Sequence, residues 1–101
     1  MIVEITSQEQ LENLILQENK TVVVDFAAPA WCVPCIRFAP HFEKASEKSD
    51  AIFAHVDVDN NPWAMVEYRV QGVPTVMLFK SGQYIKHLKE RAAPLLLKEM
   101  E

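Results

Sequence analysis

Val22-Val23-Val24-Asp25-Phe26-Ala27 is the segment that most narrows the folds open to this chain. A β-branched and aromatic run without polar alternation suits a central strand covered on both faces, and such strands sit in sheets sandwiched between helices. The rest of the chain supplies the covering. Ile2–Ile5 reads as a short first strand. Thr6 and Ser7 offer N-caps with Glu9 and Gln10 three residues on, and Leu11, Leu14 and Ile15 follow at helical spacing. A long helix from about Cys32 to Ser49 places Phe38, Ala39, Phe42 and Ala45 on one stripe and Glu43, Lys44, Glu47 and Lys48 outside it.

Ile52–Val58 reads as the next strand, and Asn61 as the cap of a short third helix with Pro62 at its first position. Thr75–Lys80 and Gln83–Leu88 are two strands joined tightly through Ser81-Gly82, a hairpin signal. A last helix starts near Pro94, with Leu95, Leu96 and Leu97 expected in the core. The order βαβαβαββα predicts an α/β fold: a mixed central β-sheet flanked by helices divided between its two faces. At 101 residues, one domain spanning 1–101 is expected.

Composition excludes several classes of function. A net charge of −4 leaves no basic footprint for nucleic acid or an anionic membrane surface. The apolar runs fall far short of the ~20 residues that a membrane helix needs. The start, Met1-Ile2-Val3-Glu4, lacks a basic stretch followed by a long apolar one, so a cytoplasmic location is the default expectation.

Both cysteines lie three residues apart, in Trp31-Cys32-Val33-Pro34-Cys35. Closing so small a loop removes little entropy from the unfolded chain, so the pair is poorly explained as a staple and points to chemistry. The motif follows a buried strand and opens a helix. There the unpaired backbone N–H groups and the helix dipole favour a thiolate at Cys32, lowering its pKa below the ~8.5 of a free cysteine. Pro34 falls where the first turn needs no N–H. Cys35, one turn along, is expected to be the more buried. Zinc would want four ligands, and His41, His55 and His87 show no spacing that would complete a site with the cysteines; no metal and no organic cofactor is expected. Asp25, a carboxylate in an apolar strand, should have a raised pKa because desolvation disfavours its charged form.

In these residues the sequence resembles the thioredoxin family, over nearly its whole length. Val24-Asp25-Phe26, Trp31-Cys32-x-Pro34-Cys35 and Phe38-Ala39-Pro40 are followed by Val56-Asp57-Val58-Asp59 and Asn61-Pro62. Gly72-Val73-Pro74-Thr75 and Phe79-Lys80-Ser81-Gly82 complete the set, in order. The resemblance implies the thioredoxin fold and a protein-disulfide reductase working by dithiol–disulfide exchange, with Cys32 as nucleophile and Cys35 as resolving thiol. It implies that Pro74 follows a cis peptide bond beside the sulfurs and that Val73 offers its backbone to an incoming peptide. It places Asp25 behind Cys35, and Trp31, Val33 and Pro34 on the docking surface.

Thioredoxin reductase or an equivalent electron donor and disulfide-containing target proteins are the implied partners, and a monomer is expected. A disulfide-forming or isomerising relative, and a non-redox scaffold subunit, are the alternative roles. This chain departs from the family pattern at four places. Val33 stands where glycine is usual, and the segment before Trp31 is one residue longer. His55 stands where many members have a lysine near the buried aspartate, a possible modulator of Asp25. Glu90 stands at the position of a docking glycine.

Overall fold

Residues 1–101 are described by a computed structural model, and β2 (Thr21–Ala27) is its central strand. The element order is β1 (Ile2–Glu4), α1 (Gln8–Ile15), β2, α2 (Val33–Glu47), β3 (Ile52–Asp57), α3 (Trp63–Glu67), β4 (Thr75–Lys80), β5 (Gln83–Leu88) and α4 (Ala93–Glu99). One five-stranded sheet runs β1-β3-β2-β4-β5. β3 pairs parallel with β1 and β2, β4 pairs antiparallel with β2, and β5 with β4.

The alternation of side chains along β2 separates two cores. Val22, Val24 and Phe26 face Leu11 and Ile15 of α1 and Ala64 of α3. Val23 faces Phe38, Phe42 and Ala45 of α2 and Leu96 of α4. Phe42 meets Phe53 edge-on at 5.1 Å between ring centroids. Crossover helices on opposite faces leave the carboxyl end of β2 and the amino end of α2 together at one rim of the sheet, where the motif lies.

Local chemistry fixes the joints. Ser7 caps α1 by accepting from the Gln10 N–H at 3.1 Å, while the Gln10 side chain accepts from the Thr6 N–H at 2.6 Å. The β4–β5 turn has positive φ at both Ser81 (50°) and Gly82 (82°), as a two-residue hairpin of right-handed twist requires.

Three expectations need correction. Pro62, not Asn61, is the N-cap of α3. The Asn61 amide is buried instead and donates to the carbonyls of Ile5 (3.3 Å) and Asp57 (3.0 Å), tying β1 to the end of β3. Of the Leu95–Leu97 run only Leu96 is fully buried and Leu95 is exposed, because three successive helical positions span too wide an arc to face one core. The long helix begins at Val33 and leaves Cys32 as its N-cap.

Candidate active site

The backbone delivers Cys32 to the helix terminus. Its N–H donates to the Ala28 carbonyl at 2.9 Å, and its own carbonyl accepts from Ile36 at 3.0 Å, opening the first turn of α2. Cys32 and Cys35 form a disulfide with Cα atoms 5.2 Å apart. The Cys32 sulfur accepts the Cys35 N–H at 3.2 Å. A helix terminus thus directs an otherwise orphan donor at the sulfur nearest the surface loop.

Cys32 Sγ also lies 3.7 Å from the Val73 carbonyl oxygen. The oxidised sulfur has no proton to donate, so this is a contact, and it brings the Val73-Pro74 segment against the disulfide. The Val73–Pro74 bond is cis. Cys35 and Cys32 are buried almost alike, 3% and 4% exposed. The difference between them is electrostatic, since the sulfur of Cys32 receives the N–H.

Around the disulfide the surface is apolar and open. Trp31 and Val33 are 62% and 53% exposed, and Ile36 beside them is exposed too. The Trp31 indole N–H donates to Asp59 Oδ2 at 2.8 Å, which fixes the ring while leaving its face free. Pro34 is exposed, and Val73 and Pro74 are half-buried.

Asp25 lies two residues beyond Val23 on β2, on the face that α2 covers. It is 2% exposed, and its Oδ1 has no hydrogen-bond partner. Burial pushes its pKa from the ordinary 3.8 up to about 6, opposed electrostatically by His55 and Arg91 and reinforced by Glu4. His55 pairs in register with Asp25 on one side and with Glu4 on the other. Its hydrogen bonds go to Glu4: Nδ1 lies 2.9 Å from both carboxylate oxygens. His55 therefore acts on Asp25 through charge while Glu4 holds its ring.

One residue escaped the sequence reading. Arg91, which lies in a charged stretch with Lys86, Lys89 and Glu90, a pattern typical of a solvated face, is half-buried with its guanidinium 5.1 Å above the Phe38 ring. Arg91, rather than Glu90, lines the space beside Pro34 and Pro74. The spacing of Pro34, Arg37, Phe38 and His41, which shares one helix face, is the signal that could have drawn attention to this side of the motif.

A disulfide at a helix start, set beside a cis proline, defines a dithiol–disulfide exchange protein. Comparison with known proteins names the family. The family model described as Thioredoxin matches residues 2–100. A thioredoxin from Mycoplasma genitalium is 42% identical over 83 residues, covering 81% of this chain and 79% of that one. A bifunctional thioredoxin reductase/thioredoxin from Mycobacterium leprae is 43% identical over 76 residues, 73% of this chain and 16% of that one. The crystal structure of thioredoxin from Trypanosoma brucei brucei superposes with a TM-score of 0.86 at 31% identity, covering 98% of this chain and 87% of that one. The chain belongs to the thioredoxin family, and it is a thiol–disulfide oxidoreductase of the protein-disulfide reductase type, with Cys32–Cys35 as its redox pair.

Proposed function

We propose that Cys32 is the attacking sulfur, Cys35 the resolving thiol and Asp25 the group that takes the proton of Cys35. In the reduced protein the Cys32 thiolate attacks one sulfur of a target disulfide; a Cys32–target disulfide forms and the other target sulfur leaves as thiolate. Cys35 loses its proton to Asp25, directly or through one water, and attacks the Cys32 sulfur. The Cys32–Cys35 disulfide forms, the second target sulfur leaves as thiolate, and two electrons have passed to the target. A carboxyl held near pKa 6 exchanges protons readily close to neutral pH.

The observation that carries the assignment is the Cys35 N–H donated to the Cys32 sulfur. In the reduced state the same donor would favour negative charge at Cys32 and nowhere else. Trp31, Val33 and Pro34 form the apolar landing surface, and Val73 and Pro74 align the target segment, with the Val73 backbone as a strand partner. Oxidised protein is returned to the dithiol by a thioredoxin reductase or an equivalent donor; the joining of thioredoxin reductase and thioredoxin in one M. leprae relative supports this pairing. No helix is long and apolar enough to cross a membrane, and a cytoplasmic monomer with disulfide-containing protein targets completes the reading.

The test uses the two serine variants. Cys35→Ser should accumulate Cys32-linked mixed disulfides with a model protein substrate, and Cys32→Ser should form none and reduce nothing. A limiting thiol reagent near neutral pH should label Cys32 first in the reduced protein. Labelling of Cys35 first would reverse the roles.

A further inference from the structure

Beside the disulfide lies an open hollow of about 510 Å³ whose charge is unlike that of the rest of the chain. Pro34, Arg37, Phe38 and His41 line it from α2, and Pro74 and Arg91 close it from the other side. Arg91 is held in place: it stacks over Phe38, and its Nη1 donates to the carbonyls of Leu88 (2.9 Å) and Glu90 (3.2 Å). Arg37 and His41 are exposed, one helical turn apart. No carboxylate lines the hollow, and the one carboxylate contact of ion-pair length, Glu4 with His55, involves none of its residues. Two acids do feel the charge of Arg91, namely Asp25 and Glu99. Asp25 is buried, and Glu99 is engaged by the backbone N–H groups of Lys89 and Glu90 at 2.9–3.0 Å.

Unpaired guanidiniums gathered against the active-site prolines of a chain with net charge −4 call for an anion from outside. The hollow shares Pro34 and Pro74 with the landing surface, so a polypeptide lying across the disulfide passes over it. We infer that this hollow is a subsite for a carboxylate side chain of the target polypeptide, an Asp or Glu flanking the attacked cysteine, and that Arg37 and Arg91 make the protein selective for acidic disulfide segments. The planar fork of arginine matches a carboxylate, and Arg91 is oriented before the target arrives. The inference rests on the reading of Cys32 as the attacking sulfur.

The experiment compares three disulfide-linked peptides that are identical except for Glu, Gln or Lys on both sides of the cysteine. kcat/KM is measured for each at low and at high salt. With the wild-type protein at low salt the Glu peptide should be favoured over the Gln peptide by about fivefold, the scale of one well-formed partly exposed ion pair. That ratio should fall towards one near 1 M salt, where screening acts within about 3 Å. In Arg37→Glu the order should invert, with the Lys peptide preferred. Ratios taken within one variant cancel any change in the amount of folded protein, and Arg37 is exposed, so folding is little at risk. Equal kcat/KM for Glu and Gln peptides in the wild type at low salt overturns the subsite, as does a Glu preference that survives Arg37→Glu. Failure of the wild type to reduce even the Gln peptide would instead remove the reading of the disulfide, and the subsite with it.

Discussion

Replacing Asp25 by asparagine takes a titrating group out of the interior, and the structure sets the size of the effect. Burial is the dominant influence on this carboxyl, raising its pKa from 3.8 to about 6 against the smaller opposing charges of His55 and Arg91. The difference of roughly 2.2 (6 − 3.8) corresponds to about 3 kcal/mol at ~1.36 kcal/mol for each pKa unit. Below about pH 3.8 the group is protonated in both the folded and the unfolded chain and costs nothing by this route. Between the two values the folded chain keeps a proton that the unfolded chain has released, so stability falls as pH rises; above about pH 6 the whole penalty is present. Asparagine cannot titrate. The stability of Asp25→Asn minus that of wild type should therefore grow by about 3 kcal/mol between about pH 3.5 and pH 7.5. Urea unfolding of both oxidised proteins across that range measures it: at an m-value of about 1.5 kcal/mol/M the difference between their midpoints should widen by about 2 M. The same variant should leave the first attack by Cys32 intact and slow resolution of the mixed disulfide by about a hundredfold in single-turnover kinetics, the usual scale for losing a positioned base. A stability difference that stays flat with pH would refute the claim that burial holds this proton. Unchanged resolution would show that Asp25 is a structural group only.

Two further outcomes follow from neighbouring groups. His55→Leu removes the neighbour that electrostatically lowers the Asp25 pKa, so the pH midpoint of the resolution step should move up from about 6; a midpoint that stays or falls contradicts the coupling across β2 and β3. Asn61→Ala leaves the Ile5 carbonyl without its buried donor, while the backbone N–H at 61 still serves the Asp57 carbonyl, and should cost about 1–3 kcal/mol in urea unfolding with the active-site chemistry unaltered.

Elements whose physics is local were legible in the sequence. The unbroken apolar run of β2 requires cover on both faces, and the structure supplies it from α1 and α3 on one side and α2 and α4 on the other. Ser81-Gly82 demanded positive φ and has it. Two of the misreadings share one cause, a local preference outweighed by a distant partner. Asn61 has the chemistry of a cap, but its amide is worth more buried between two carbonyls from different strands than at the exposed start of a five-residue helix. Arg91 lies in a charged stretch, and only the fold brings Phe38 under its guanidinium.

The row Glu4–His55–Asp25 carries this point into the chemistry. Asp25 stands out in the sequence as a carboxylate in an apolar strand and His55 as its modulator by resemblance, but nothing in the sequence links Glu4 to either. Parallel pairing of β1 with β3 and of β3 with β2 puts them side by side on one face. The exposed carboxylate of Glu4 holds the His55 ring at 2.9 Å. A held ring can act on the buried Asp25 through charge without hydrogen-bonding to it, which leaves the free Oδ1 as an open acceptor for a proton. A direct histidine–aspartate bond would occupy that acceptor and favour the ionised carboxylate, pulling the pKa down towards the ordinary range. Burial holds this carboxyl's pKa near 6, and the register of three strands decides which charges from β1 and β3 act on it.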